Sequence, residues 1–458
     1  MKHRTIALLL AAALGLSLVG GAALAAEDNA ISSGDAVAQT DGASTSGEPE
    51  VSPEHTEGTG EMEHAVYGAD TGEAEEDQEE QPPAEEYISD PVGSISFTNL
   101  ERRLRESNLN LLALEESIQA IEAIDYEKMT DDIRKQINLI AQTQWGMITM
   151  GGGMGSIAAS SMDAAYDSLR DTFDDLKDGK IQEDNAAAIR QLENAQDQIV
   201  MAAESLYLTL IELELNDDGL DRQLAALDRT IQEMELRYEL GHISAQTLRQ
   251  TQASRTALVS GQQTLEMNIS NYKAQLEMLI GAEQTGSIQL QALPQVTSQQ
   301  LESMDLEADL AAAKEVSYAL FAAQRTLDDA QEAFKDAGKD YNYNEKKYQY
   351  VSAQHTWESA QYTYQATLQS FENSFRTLYL QVKDYKQVLD AARTALAVEQ
   401  DNYSVAQLKH TQGSLSDNGL LEAEDKVKSA QETVKGAEID LFTAYHNYRW
   451  AVDYGILN

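Results

Sequence analysis

Enzymatic chemistry needs nucleophiles, bases or metal ligands at close spacing, and this chain offers few. It has no cysteine, which excludes thiolate chemistry, disulfides and Cys-built metal sites. Its histidines, His3, His55, His64, His242, His355, His410 and His446, are scattered, and no two stand at a metal-ligand spacing. No nucleophile motif or glycine-rich phosphate loop occurs. Many of the 77 Asp and Glu residues lie on helical segments, where they read as solvated faces rather than acid–base pairs. The sequence therefore predicts no catalytic residue, no metal and no cofactor, and so no enzyme. A formal net charge of −44 also disfavours nucleic acid as a partner.

What remains is recognition, and one stretch carries it. Leu240, Gly241, Ile243, Ser244 and Leu248 have counterparts in Gly413, Leu415, Ser416 and Leu420, and both runs read Gly-x-[Ile/Leu]-Ser-x-x-x-Leu. Glycine just past a helix accepts the left-handed conformation that ends it. The serine three residues on can cap the next helix by accepting from a free backbone N–H. The Ile or Leu between them can pack across the reversal. Each copy predicts a tight turn between two helices.

Long helices must position these turns. Five of the six prolines precede residue 92, and residues 339–412 contain neither Gly nor Pro. Such a body is predicted to be nearly all helix. Helical spacing runs over residues 100–123 and 130–144 and resumes over 162–176. Leu192, Ile199, Leu206, Leu213, Leu220, Leu227 and Met234 recur every seventh position, as a heptad seam does. Ala195, Ala202 and Thr209 sit three places after the first three and let a neighbour approach. A helix from about residue 184 to 240 would be on the order of 80 Å long, too long for one small core to cover. A return helix follows over about 244–280.

The plan then recurs. Residues 306–333 are helical, and a second long helix runs to about residue 409. Its seam is Tyr343, Tyr350, Trp357, Tyr364, Phe371, Leu378 and Tyr385. Such a row could line a tunnel, but an aromatic stripe at helical spacing is more often packing. A second return helix ends near Gly455. The predicted fold is all-α: long antiparallel coiled-coil helical hairpins in two tandem repeats, residues 94–281 and 303–457, joined by a linker at 282–302. At most a short hairpin or irregular tip interrupts it near residues 145–157. That stretch is uncharged and rich in Gly and Met. It reads either as an apolar tip, with Trp145, Met147, Ile148, Met150 and Met154 touching a membrane or a partner, or as a loop buried at a bundle end.

Residues 1–26 read as a signal peptide: Lys2 and Arg4, an apolar run, then small residues before Glu27. Residues 27–90 hold 20 Asp and Glu and no Lys or Arg, and the region to residue 92 reads as a disordered acidic linker. No later stretch approaches the ~20 apolar residues of a transmembrane helix.

An exported chain with two halves, each a long helix, a Gly-x-[Ile/Leu]-Ser turn and a return helix ending near Gly, resembles the TolC family of exit ducts in bacterial efflux and type I secretion. The matching stretches are residues 238–248 and 408–420, with the return helices ending at Gly281 and Gly455. The resemblance implies a homotrimeric helical duct in the outer membrane or cell envelope. It implies turns that dock a periplasmic-type adaptor, and an energised membrane transporter as a further partner. The chain departs from the family between its first and long helices, where the family carries barrel strands. A spanning strand needs ~9–11 alternating residues, and residues 336–348 are too charged to face lipid. A full membrane β-barrel is therefore not expected. The alternative is a non-transporting coiled-coil structural or adhesion protein of the cell envelope.

Overall fold

The computed structural model describes residues 90–160 and 162–457. The expected signal peptide and all but the last residues of the acidic linker lie outside them. A two-residue strand, β1 (Ser94–Ile95), leads into helices α1 (Phe97–Ser107), α2 (Leu109–Glu122), α3 (Tyr126–Ser160) and α4 (Asp163–Lys177). The first long helix is α5 (Lys180–Glu239), which turns into α6 (Ala245–Leu279). A connection follows that contains β2 (Gln289–Leu290) and the short α7 (Ser298–Glu302). Then come α8 (Leu306–Val316), α9 (Tyr318–Asp340), the second long helix α10 (Tyr348–Thr411) and α11 (Asp417–Tyr454). The fold is all-α helical hairpins, as its sequence predicts. α5 packs on α6, α10 on α11, and α5 on α11, which joins the two hairpins side by side. At 60 and 64 residues, the long helices measure roughly 90 Å or more.

Two breaks interrupt what the periodicity reads as single helices. One is Asn108, whose Oδ1 accepts from the amides of Asn110 (3.0 Å) and Leu111 (3.2 Å). Its Nδ2 donates to the Leu279 carbonyl at 2.9 Å. The other is Ser317, whose Oγ accepts from Leu320 N. Both residues cap the helix that follows, and both breaks receive the end of a return helix. A Cβ on Gly281 would stand 2.9 Å from Ser107 Cβ, and one on Gly455 would stand 2.4 Å from Ser317 Cα. The glycines that end the return helices are thus places of backbone-to-backbone approach as well as helix stops.

The core gathers at this level. One cluster holds Leu310, Phe375, Leu378, Val382, Leu441 and Tyr448. The other holds Leu100, Leu104, Val200, Tyr207, Leu210 and Leu276, and takes in Phe442 and Trp450 from α11. Burying each such side chain is worth roughly 1.5–3 kcal/mol. β1 and β2 pair in parallel and tie the start of the chain to the connection between the hairpins. Fully buried Tyr207 secures the pair, sharing its hydroxyl between the carbonyls of Ile95 (3.1 Å) and Gln291 (2.7 Å).

The heptad expected on α5 is displaced. Leu192, Ile199, Leu206, Leu213, Leu220, Leu227 and Met234 are only half-buried. The buried row is Gln196, Val200, Ala203, Tyr207 and Leu210, which spaces at four and three residues in turn. Polar Gln196 and aromatic Tyr207 hid this row from a reading keyed to leucine. On α10 the aromatic row does pack: Phe371 and Leu378 are buried, and Phe334 of α9 stacks on Tyr350 and Trp357 at 5.3 and 5.2 Å. Its first member, Tyr343, is not on the helix. Residues 341–347 form a turn, and Asn342 and Tyr343 take φ of 50° and 54°. Asn tolerates the left-handed region, and the Tyr343 ring packs on Gly338, where an added Cβ would stand 2.5 Å from Cε1.

Candidate functional site: the paired hairpin turns

The two turns have one geometry. Gly241 and Gly413 each take φ of 72°. At the first, Gly241 N donates to the Tyr238 carbonyl (2.9 Å) and His242 N to that of Arg237 (2.8 Å). At the second, Gly413 N donates to His410 O (2.9 Å) and Ser414 N to Lys409 O (2.9 Å). This is the Schellman pattern of a glycine-ended helix. Ser244 Oγ then accepts from Thr247 N, and Ser416 Oγ from Gly419 N, each at 3.2 Å. Both serines are the expected N-caps. Leu415 folds across the reversal onto Gly419, where an added Cβ would meet its Cδ1 at 2.7 Å. Ile243, Leu248, Leu415 and Leu420 are half-buried, whereas Leu240 is exposed. Nothing stands within 4 Å of a Cβ built on Gly241 or Gly413, so both turn glycines face open space.

Polar contacts hold the turns side by side. Asn418 Nδ2, one residue into α11, donates to Glu233 Oε2 of α5 at 3.3 Å. Arg229 pairs with Asp425, and Arg222 grips Glu432 with two bonds of 2.8 and 2.6 Å. The bond to Glu432 raises the Arg222 pKa. Within the first hairpin, Arg255 of α6 pairs with Asp228 and holds its carboxyl below the usual range. These half-exposed pairs contribute little stability each, but those of Glu233, Arg229 and Arg222 recur up the α5–α11 line and match the register in which the turns meet. The exposed apolars Leu236, Tyr238, Leu240, Val405 and Leu408 lie beside the turns.

Deeper along the same line is a group that sequence reading left among scattered residues. Buried Glu204 accepts from Trp450 Nε1 at 2.8 Å, and His446 Nε2 lies 2.9 Å from the same oxygen. Phe97 stands edge-on to His446, Phe442 and Tyr207 at 4.9, 5.0 and 5.5 Å. This cluster joins the two hairpins through α5 and α11. A second buried acid, Glu277, accepts from the amides of Thr285, Gly286, Ser287 and Ile288. Burial would raise its pKa, but those bonds prevail and it is lowered. His446 and Glu277 carry no sequence motif; only the fold brings their partners near. Among the described residues no group of three or more His, Asp or Glu side chains could hold a metal ion.

The Gly/Met-rich stretch lies at the reversal between α3 and α4, the hairpin that precedes the start of α5. It is helical, not stranded. Gln144 Nε2 donates to Asp163 Oδ1 at 2.9 Å, and the Arg134 guanidinium stands 5.6 Å over the Phe173 ring. Both pairs are centred on residues 153 and 154, so α3 and α4 are antiparallel. A straight helix over residues 144–160 would measure about 24 Å, and three more residues can return only about 10 Å. α3 therefore curves back within the stretch. Trp145 and Ile148 are exposed and Met147 is half-buried; the side chains of Met150 and Met154 lie outside the described set. Among the described residues the strands are two residues long, and no helix is long and apolar enough to cross a membrane.

No protein-family model and no curated protein matches this chain. Solved structures do. The CmeC outer membrane channel of Campylobacter jejuni is 16% identical, over 63% of this chain and 67% of that one, with a TM-score of 0.40. The outer membrane protein VceC of Vibrio cholerae is 14% identical over 78% and 95%, at 0.43. A membrane protein from Pseudomonas aeruginosa is 12% identical over 78% and 89%, at 0.49. These are what the chain is similar to.

Proposed function

We propose that this chain is a TolC-like envelope component of an efflux or type I secretion system. In this reading three copies, exported to the envelope or outer membrane, form a passive helical duct, and the paired turns dock an adaptor coupled to an energised transporter. The two hairpins are then tandem copies of one unit. The observation that carries the reading is the pair of turns: same glycine dihedral, same Schellman bonds and same serine cap, held together at one end of helices roughly 90 Å long. A surface built twice in matching form, backed by register-fixing pairs and edged by exposed apolar residues, suits a repeated docking surface.

Half-buried and exposed apolar residues along the long helices support assembly. The half-buried leucines of α5 and the exposed Val388, Val398, Val405 and Leu408 of α10 leave apolar surface for a neighbouring copy to cover. Mass in solution with one micrograph tests this: a trimeric hollow cylinder is expected, and a monomer or filled bundle overturns the duct. Gly413→Val tests the docking. A β-branched residue at φ of 72° reshapes the turn while nothing nearby clashes. Efflux should be lost with helicity retained; unchanged efflux would remove the turn from the mechanism.

A further inference from the structure

We propose that the α3–α4 hairpin is a wedge that enters one leaflet of a lipid bilayer. Residues 136–162 contain no charged side chain, although charged residues make up 24% of the chain. The run ends sharply, at Lys135 on one limb and at Asp163 on the other. The reversal is centred on residues 153 and 154, as the Gln144–Asp163 and Arg134–Phe173 contacts require. From there to Asp163 the helical rise is about 14 Å, and to Trp145 about 13 Å. That depth is close to half the ~30 Å hydrocarbon core. A charge-free cap of this height fits one leaflet, and the first charge, on Asp163, falls at the headgroups.

The chemistry of the limbs agrees. The backbone is helical up to Ser160, so away from the reversal its amides and carbonyls are satisfied within the helix. Trp145 is 70% exposed and Ile148 50% exposed, and Trp145 sits at the depth of the interface, where an indole is favoured. Met147, Met150, Met154 and Ile157 supply adaptable apolar bulk in the run between glycines. With no Lys or Arg in the run, and −44 overall, the attraction is apolar rather than electrostatic. The occupant is therefore a neutral lipid surface. A second protein is the alternative that the experiment must separate. The wedge does not require the duct reading, because it concerns the opposite end of the helices.

Flotation of the purified full chain with phosphatidylcholine vesicles tests it. Binding is expected, together with quenching of tryptophan fluorescence by lipid brominated in the acyl chain. Trp145→Phe should remove that quenching and leave Trp357 and Trp450 unaffected. Ile148→Asp with Met154→Asp should weaken flotation at least tenfold, with unchanged helicity and solution mass. Failure to float with neutral vesicles overturns the wedge. So does binding that appears only with cationic lipid, or a change in solution mass in the double variant without any vesicle binding. None of these outcomes alters the trimer test, so the two proposals fail separately.

Discussion

The long helices are closed differently at their two ends. At the turn end, α5 into α6 and α10 into α11 pass through the same five-residue reversal, with glycine at φ of 72° and a serine cap in each. At the other end, the first hairpin is preceded by the α3–α4 excursion, while the second is joined to α9 only by the turn at 341–347. Between these ends lie the close contacts at Gly281 and Gly455 and most of the buried side chains. On the proposed reading, turns that match a repeated partner keep one geometry, and the level that holds most of the buried side chains keeps one packing rule. The far end is under neither constraint. Glycines that shape a surface are thus distinct from glycines that permit a core, and substitution tells them apart.

The largest effect is expected at Gly455. A methyl there meets the backbone of Ser317 at 2.4 and 2.5 Å, and φ is 63°. Overpacking at about 1–3 kcal/mol and left-handed strain at about 1–2 kcal/mol add for Gly455→Ala. Gly413→Ala has the same strain and no clash, so it should lose only about 1–2 kcal/mol. Urea unfolding followed by circular dichroism checks both. Equal losses would mean that the two kinds of glycine are not distinct.

The next effect is at Glu204. Glu204→Ala removes the carboxylate that Trp450 Nε1 and half-buried His446 Nε2 share, leaving the indole N–H only His446 Nε2 at 2.9 Å, at a cost of about 2 kcal/mol. Arg222→Ala, on the same α5–α11 line but half-exposed with Glu432, should lose about 1 kcal/mol or less. If Arg222→Ala proves the more damaging, the hairpins are joined near the turns rather than at the core.

The turn end was legible in the sequence to the level of single hydrogen bonds, because its chemistry is local. A glycine stop and a serine cap act within five residues, and Ser244 and Ser416 do as their types dictate. The hairpin order and the return helices were legible for the same reason. The α5 face was misread because its buried row includes Gln196 and Tyr207, whose burial depends on distant partners at Leu111, Ile95 and Gln291. The breaks at Asn108 and Ser317 were missed because either residue sits tolerably inside a helix; only the arriving Gly281 and Gly455 give them a function. The helical reversal near residue 153 was masked by glycines that also suit a loop.

Acid should loosen the middle level before the turns. The bonds to Glu277 lower its pKa in the folded chain. A lowered carboxyl contributes stability that is present above its unfolded value, about 4.5, and is lost as pH falls through the folded value. Thermal melts from pH 6 to pH 3 should therefore fall less steeply for Glu277→Gln than for the parent, while the variant is less stable at pH 6. Parallel curves would show that the loop at residues 285–288 does not depend on the carboxylate.

The smallest effect is expected at the two serine caps. Ser244→Ala and Ser416→Ala each remove one cap bond of 3.2 Å to an exposed amide, worth about 1 kcal/mol of local helix stability. The turns are far from the core, and the buried residues lie mostly below them, so the loss should stay local. Hydrogen exchange should quicken at Thr247 in the first variant and at Gly419 in the second, by similar factors of about five. Global unfolding should barely move. Unequal factors would mean that neighbours not shared by the two turns support one of them, such as the bond between His410 and Asp417 at 2.7 Å, which has no counterpart at the first turn. In that event Ser416→Ala should be the milder change, and His410→Ala should restore equality.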